Sequence, residues 1–527
     1  MVRSGAGIGW VPIRIGVRLR TTGMRTRLIT TLLGPVAGAA GLASGHLVAA
    51  LTTPAASPVL AVGSTVVDHT PTSLKEWAIA HFGTGDKTVL IASVLVVVGL
   101  ATLAIGPLAR RRTAYGVASL VALSAIAAAC ALTRPTASAT DALPSAVTAV
   151  VAVGALLLLL RLLHRTAPAA AGGPGGSRRA VLIALGLLAV SAGVLGEAGR
   201  RVIAYRDRPE DVALPAPRSP VPPLPAGLDR TVPGISPFRT PASDFYRVDT
   251  RLDVPVVSTD DWTLSVDGAV DHPFTIGFDE LLAMPMIERD ITLTCVSNSV
   301  GGPYVGGARW LGVRLRDLLD RAGVHNGPDQ ILSTDVDGMT ISTPLALATD
   351  GRDAMVAVGM NGAPLPREHG FPARLVIPGL YGFISATKWV TRLTLTTYAE
   401  HSAYWTDRRW ATHAPIKISS RIDTPRALAR LKAGEVVIGG VAWAQESGGV
   451  AKVEVQVDGG PWREAHLGPS GGNDYWRQWF WRWPATRGQH TLACRVTDGE
   501  GAVQTAVRAM PFPDGASGIQ TIDVSVD

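Results

Sequence analysis

Five apolar stretches crowd the first 200 residues of this chain, near 28–51, 88–108, 114–132, 146–163 and 180–196. Each approaches or exceeds the roughly 20 residues an α-helix needs to cross a bilayer. The second, "TVLIASVLVVVGLATLAIGPLA", is the strongest, whereas the first is diluted by glycine and holds His46. Past residue 200 the composition changes: carboxylates, Trp and Pro reach the density of a water-soluble protein. One half is suited to lipid and the other to water, and 527 residues leave room for roughly two to four domains. The formal net charge of +7 does not mark a nucleic-acid binder, because much of the excess arginine flanks the apolar stretches.

The placement of those arginines suggests an orientation. The tail 1–27 carries Arg14, Arg18, Arg20, Arg25 and Arg27; Arg110, Arg111 and Arg112 follow the second stretch; Arg161, Arg165, Arg178 and Arg179 separate the fourth from the fifth. The loops around 52–87 and 133–145 are poor in arginine. Basic loops stay in the cytoplasm, so five spans over 28–200 would place everything later outside. The expectation is a multi-pass protein of the cell membrane with an extracytoplasmic soluble half. Arg178 and Arg179, before the short apolar "AVLIALGLLAVSAG", resemble a twin-arginine export signal. A simple anchor for a helix end explains the pair too. That export route carries folded domains, so the signal gains force if the outer half holds a cofactor. His46 and His164 lie in or beside spans, but the paired histidines of a membrane haem are missing, and so is CxxCH. The spans also lack the charged residues that a transport pathway needs.

Residues 201–244 are too rich in proline for a helix or central strand and read as an extended, semi-rigid spacer. From 245 to 411 the pattern is α+β. "WTLSVDGAV" alternates as a strand, "GFDELLAMP" is a short helix with acidic residues in its first turn, and "ARLVIPGLYG" is a buried strand. "RWLGVRLRDLLDRAG" reads as an amphipathic helix ended by Gly323, with Arg309 and Arg314 on it. From 412 to 527, strands separated by Gly, Asp and Pro turns predict an immunoglobulin-like β-sandwich. The Trp-rich alternation over 475–483 gives one aromatic face, read as core or packing surface.

Phosphate loops, HExxH, CxxC and GxSxG are absent, and the glycines of 301–307 lack the context of a dinucleotide fingerprint. Three cysteines, Cys130, Cys295 and Cys494, cannot form a disulfide framework, although a Cys295–Cys494 bridge is compatible with the sequence. Cys295 closes the strand "ITLTC" before the polar, glycine-rich "VSNSVGG". Taken alone, such a cysteine is most often a buried small hydrophobe.

The segments "FYRVD", "TLTCVSN", "ARWLGVRLRDLL", "VGMNGAPLPREHGFPARLVIPGLYG", "ATKWV" and "GGVAWAQESGGVAKVEVQVDGGPWREA" occur in that order. Together they resemble the sulfite oxidase family of molybdenum enzymes over roughly 240–527, including the β-sandwich through which that family dimerises. The membrane half resembles bacterial relatives only. The resemblance implies a molybdenum–molybdopterin cofactor with Cys295 as the metal's protein ligand and catalytic centre. A soft thiolate suits a high-valent metal also held by the two sulfurs of a pterin dithiolene. It implies cofactor-binding roles for Arg247, Asp249, Asp337, His369, Arg374, Thr387 and Lys388. Cationic side chains suit the pterin phosphate. Without the resemblance, His369 would read as a turn cap, and Arg309 and Arg314 read equally well as a solvated face.

Two departures stand out. Where sulfite oxidases carry arginines just after Cys-x-x-Asn, this chain has Ser299 and Val300, and Asp249 stands in place of a histidine. Loss of positive charge weakens oxyanion binding. The leading expectation is therefore a membrane-tethered oxidoreductase performing oxygen-atom transfer at a molybdenum–oxo centre, on sulfite or a related small sulfur or oxyanion substrate. Electrons would pass to or from an external cytochrome or the quinone pool, and the C-terminal domain would pair two copies. The rival is a non-catalytic, membrane-anchored surface protein with an immunoglobulin-like binding module on a degenerate cofactor fold.

Overall fold

The computed structural model describes residues 17–82, 85–164, 176–206 and 212–527. The chain divides into two compact units, Met1–Arg206 and Asp207–Asp527. The first holds helices α1 (Val17–Leu51), α2 (Pro58–His69), α3 (Thr72–Phe82), α4 (Asp86–Arg111), α5 (Thr113–Leu132), α6 (Leu143–His164) and α7 (Gly176–Arg206). Five helical segments are long and apolar enough to cross a membrane: Arg27–Leu51, Lys87–Arg111, Thr113–Leu132, Ala139–His164 and Arg179–Arg206. The short helices α2 and α3, between the first two of these, had no counterpart in the sequence reading.

Glycine in α1 serves close packing. A Cβ on Gly34 would lie 2.0 Å from the Thr102 carbonyl oxygen, and one on Gly45 would lie 2.0 Å from Thr148 Oγ1. Small residues let α1 approach α4 and α6 closely. The last span overruns its expected end at 196: α7 continues to Arg206, whose Nη1 donates to the Ala50 and Thr52 carbonyls at 2.6 and 3.1 Å. Arg14 and Arg165 lie outside the described residues, as do the side chains of Arg18, Arg20, Arg25 and Arg178.

The second unit begins with strands β1 (Thr263–Gly268), β2 (Phe274–Gly277), β3 (Met286–Thr294), β4 (Val305–Arg314), β5 (Gln330–Asp335), β6 (Thr340–Pro344), β7 (Met355–Met360), β8 (Ala363–Pro364), β9 (Arg374–Val376) and β10 (Val390–Thr396). They form two sheets, ordered β2-β1-β10-β5-β6 and β3-β4-β7-β8, with β9 also paired to β7. Four short helices join them: α8 (Phe278–Ala283), α9 (Leu315–Ala322), α10 (Leu345–Thr349) and α11 (Gly382–Ser385). The acidic first turn of α8 contains Asp279 and Glu280. Gly323 closes α9 at φ +67°, a conformation glycine adopts without strain.

One element was misassigned. Arg309 and Arg314 lie on strand β4, and the helix starts only at Leu315. Cross-strand pairing overrides the helical periodicity, since Arg309 faces Asp290 directly across the ladder and Trp310 is fully buried. Arg309 is no solvated helix face: its Nε and Nη2 grip the Asp290 carboxylate at 2.8 and 2.6 Å.

The proline-rich segment is not a free spacer either. The Arg218 N–H donates to the Met286 carbonyl at 2.8 Å, that of Leu228 to Gln478 Oε1 at 2.6 Å, and that of Thr240 to the Gly307 carbonyl at 2.9 Å. Ser219 forms a parallel bridge with Ile287, so the segment covers the outer edge of β3. Prolines lack an N–H, but the residues between them supply donors to an edge strand that would otherwise stand open.

The C-terminal region holds β11 (Ser419–Thr424), β12 (Arg430–Leu431), β13 (Gly434–Trp443), β14 (Val450–Val457), β15 (Arg463–Glu464), β16 (His466–Leu467), β17 (Arg477–Ala485), β18 (Gly488–Asp498) and β19 (Gln520–Val526). Sheets β11-β13-β17-β16 and β12-β19-β18-β14-β15 enclose one core that includes Ile438, Trp479, Trp483, Val455, Cys494 and Val524. Trp479 and Trp483 are buried core, while Trp481 is half-buried. Cys295 and Cys494 are free thiols, so the bridge between them does not form. Tyr475, Trp476, Val441 and Trp443 belong to the same apolar core as the α+β region, so the two parts share one interior.

A Cβ on Gly440 would fall 1.8 Å from the Arg421 carbonyl carried by its neighbouring strand β11. Gly440→Val is expected to cost about 1–3 kcal/mol by overpacking. Thermal unfolding of the second unit should show the midpoint fall, while Val436→Thr on the half-buried part of the same strand leaves it nearly unchanged.

Candidate functional site

The β3–β4 hairpin positions the cysteine. The two strands pair from Met286↔Val313 to Thr294↔Val305, and the loop 295–304 closes them. The Cys295 N–H donates to the Tyr304 carbonyl at 3.0 Å, and the Asn298 N–H to the Cys295 carbonyl at 3.0 Å. Asn298 Oδ1 then accepts the Tyr304 N–H at 2.8 Å. Asn298 thus satisfies the turn from inside and fixes where the thiol sits. Cys295 is 8% exposed, and burial raises its pKa, opposed by a hydrogen bond from Ser297 and the charge of Lys388. Such a thiol stays protonated until something better than water stabilises its anion.

Lys388 lies within electrostatic reach of it, and Arg374 and Arg247 gather around Lys388. Arg374 opens β9, is 5% exposed, and lies over the Trp310 ring at 5.1 Å. Its Nη1 reaches the His369 carbonyl at 3.1 Å and its Nη2 the Ala386 carbonyl at 3.4 Å, but its buried Nε finds no hydrogen-bond partner. Desolvation draws its pKa down to about 10. Lys388 donates to Asp249 Oδ2 at 2.6 Å and to the Glu368 carbonyl at 3.2 Å, and burial draws it down to about 8. Arg247 Nε shares the same Asp249 oxygen at 2.8 Å, while its buried Nη2 has no partner.

His369 is 3% exposed, with Nε2 2.9 Å from the Ala242 carbonyl. That contact requires the proton on Nε2. Burial and the charge of Arg374 push the imidazole down to about 4, so it is neutral at physiological pH. Asp337 and Asp335 both hold Arg251, the latter at 2.6 Å, and Arg251 lies 5.3 Å from the centroid of Trp389. Thr387 turns its hydroxyl to Ser333 Oγ at 2.6 Å and is buried.

Sequence reasoning named Arg247, Asp249, Cys295, Asp337, His369, Arg374, Thr387 and Lys388, and Coulombic contacts tie most of these together. Lys388 feels Asp249, Arg374 and Arg247, and both Cys295 and His369 feel Lys388. Asp249 acts as a brace that holds two cations in place, and Asp337 grips Arg251. Thr387 points its hydroxyl into β5. The residues missed were Arg251, Asp335, Tyr246, Tyr381 and Asn298. Burial raises the Tyr246 and Tyr381 phenols, and both lie within electrostatic reach of the Cys295 thiol. The arginine pair in "FYRVDTR" was the available signal for Arg251.

Buried guanidinium donors without partners, and a buried thiol whose pKa burial raises, fit an anionic cofactor that carries a metal. Comparisons with known proteins agree. Residues 251–405 match the oxidoreductase molybdopterin binding domain. Over 317 residues the chain is 31% identical to the mitochondrial sulfite oxidase of Rattus norvegicus, covering 51% of this chain and 57% of that one. It is 29% identical to nitrate reductase [NADH] 1 of Oryza sativa subsp. japonica, covering 52% of this chain and 35% of that one. The crystal structure of the sulfane dehydrogenase SoxCD from Paracoccus pantotrophus superposes with a TM-score of 0.48 at 25% identity, covering 54% of this chain and 80% of that one. Residues 251–405 form a molybdopterin-binding oxidoreductase domain. The second unit is similar to sulfite oxidases, and the chain spans about half the length of the sulfite oxidases it matches.

The neutral His369 carries a pH signature. Its folded pKa, near 4, lies below the unfolded value near 6.5, so the unfolded chain binds more protons between those values. Stability contributed here is present above pH 6.5 and is lost as pH falls towards 4, on the order of 3 kcal/mol. Urea unfolding of the cofactor-free protein at pH 7, 5.5 and 4.5 should show this loss, and His369→Gln should flatten it.

Proposed function

We propose that this protein is a membrane-anchored molybdenum enzyme whose second unit lies outside the cell. It moves an oxygen atom between water and a small sulfur or oxyanion substrate, with sulfite the first to test. The observation that carries this reading is the buried Cys295 thiol set among Arg374, Lys388, His369 and Arg247, two of whose guanidinium groups hold unmet donors. The five apolar helical segments and their arginine-flanked ends support the anchoring and orientation. Export of a folded, cofactor-loaded domain gives Arg178 and Arg179 their role, and pairing of two copies through the C-terminal sheets completes the reading.

Bound at this site, the molybdenum cofactor supplies two-electron oxygen-atom transfer. The chain's own residues do the rest. Cys295 would hold the metal as its thiolate, a deprotonation that burial opposes and Lys388 assists. Arg374 and Arg247 would hold the cofactor's anionic groups through their unmet donors. Asp249 keeps Lys388 and Arg247 at fixed separation by accepting from both on one oxygen. His369 anchors through Nε2–H to the Ala242 carbonyl and presents the site with a neutral ring. Ser299 and Val300, on the loop after Cys295, contribute no positive charge of their own to binding an oxyanion.

The test is molybdenum content by elemental mass spectrometry, on full-length protein from a host that makes the pterin cofactor, with ferricyanide-coupled sulfite oxidation as the assay. Near-stoichiometric metal is expected in the wild type, and Cys295→Ser should abolish turnover. Arg374→Met should lower cofactor retention, since a charge-assisted contact contributes about 1.5–3 kcal/mol. A well-folded wild type free of molybdenum would overturn the reading in favour of the non-catalytic surface protein.

A further inference from the structure

The segment after β18, residues 499–519, forms an ordered arm that leaves its apolar side chains in water. Val503, Val507, Met510 and Phe512 are 48%, 72%, 76% and 41% exposed. The arm is not loose. Ala509 and Ser517 exchange backbone hydrogen bonds at 3.1 and 3.3 Å, the Gly515 N–H reaches the Pro511 carbonyl at 2.7 Å, and Lys417 Nζ binds the Gly515 carbonyl at 2.6 Å and Asp514 at 2.9 Å. Its exposure is therefore built into the fold. Exposed apolar side chains held in an ordered segment in this way mark a binding face.

The base of the arm leads to the cysteine. Phe512 meets Trp410 edge-on with centroids 5.3 Å apart, and Trp410 lies 5.6 Å from Phe383. Phe383 sits on α11, whose first residue, Gly382, would place a Cβ 3.9 Å from the carbonyl of Thr294, the residue before Cys295. Gly515 packs its Cα against the Tyr381 ring, where a Cβ would lie 2.5 Å away. Tyr381 in turn lies within electrostatic reach of the Cys295 thiol. Rings in van der Waals contact shorten the gap across which an electron must tunnel, and here they run from a wet surface to α11, whose first residue lies near the carbonyl of Thr294, one residue before Cys295. Around the apolar face stand the exposed cations Arg409 and Arg508, the latter laid along Gly518.

We propose that this arm, with Trp410 beneath it, is the docking surface for a soluble one-electron carrier protein with an apolar patch around its redox centre and an acidic rim. This rests on the molybdenum reading of the site. Oxygen transfer from water to substrate releases two protons and two electrons. Two carrier molecules in succession each take one electron, and the protons leave to solvent. Aromatic, Met and Arg side chains are the types enriched in such interfaces, and the cationic rim steers an acidic partner.

The test separates this proposal from the one beneath it. Full-length, cofactor-loaded protein is reduced with titanium(III) citrate, then mixed rapidly with ferricyanide, with an acidic c-type cytochrome, or with a basic one. The acidic cytochrome should be reduced faster than the basic one, and the more so at low salt. Val507→Ser/Met510→Ser and Arg508→Glu should each slow its reduction about tenfold while the ferricyanide rate stays unchanged. Equal cytochrome rates in wild type and variants would overturn the docking surface, as would a preference for the basic cytochrome. So would an arm variant that changes only the oligomeric state, which would assign the arm to a second copy of the chain. Protein that carries no molybdenum and reduces not even ferricyanide would instead bring down the molybdenum reading.

Discussion

Burying positive charge costs free energy unless an anion answers it, and the second unit buries more cations around Cys295 than its carboxylates engage. Asp249 is divided between Arg247 and Lys388, while Asp335 and Asp337 are both committed to Arg251. Arg374 meets only carbonyl oxygens and the face of Trp310. Burial draws the pKa of both Arg374 and Lys388 down, the cost of taking these cations out of water. The surroundings exist to hold this imbalance in place. β4 supplies Trp310 beneath Arg374, β9 carries Arg374 itself, and Trp389 packs under both Arg251 and Lys388.

The rest of the unit keeps the cysteine loop still. The C-terminal sheets do not hang from the α+β region but reach into it: Arg421 Nη1 donates to the Gly302 carbonyl at 2.8 Å, and Gln520 fills the space beside Gly301. A loop pinned from both sides holds its thiol at a fixed point, which metal ligation rewards. The proline-rich segment adds a third support by covering the free edge of β3.

Much of this was legible in the sequence, and the parts that were not have physical reasons. Alternation exposed the strands around 263, 438, 453 and 492, and the placement of Cys295 after "ITLT" survived intact. The stretch 305–314 failed because its apolar spacing suits a helix as well as a strand, and only the β3 and β7 partners decide between them. Proline content excluded α-helix and sheet strand from 212–244, where only two short 3₁₀ turns form at Leu228–Arg230 and Ala242–Asp244, but α7 runs into the expected spacer as far as Arg206, and the pattern said nothing about docking, since the partners lie at Met286, Gly307 and Gln478. Arg251 and Asp335 escaped notice because a pair separated so far along the chain leaves no local pattern. The arm at 499–519 reads as an ordinary loop, and only its exposure and its link to Trp410 set it apart.

The central claim is that Cys295 is the protein's ligand to molybdenum. X-ray absorption at the molybdenum K edge tests it most directly, comparing full-length wild type with Cys295→Ser. The account predicts one fewer sulfur neighbour around the metal in the variant, with the pterin sulfurs retained. An unchanged number of sulfur neighbours would contradict it and return Cys295 to the role of a buried thiol.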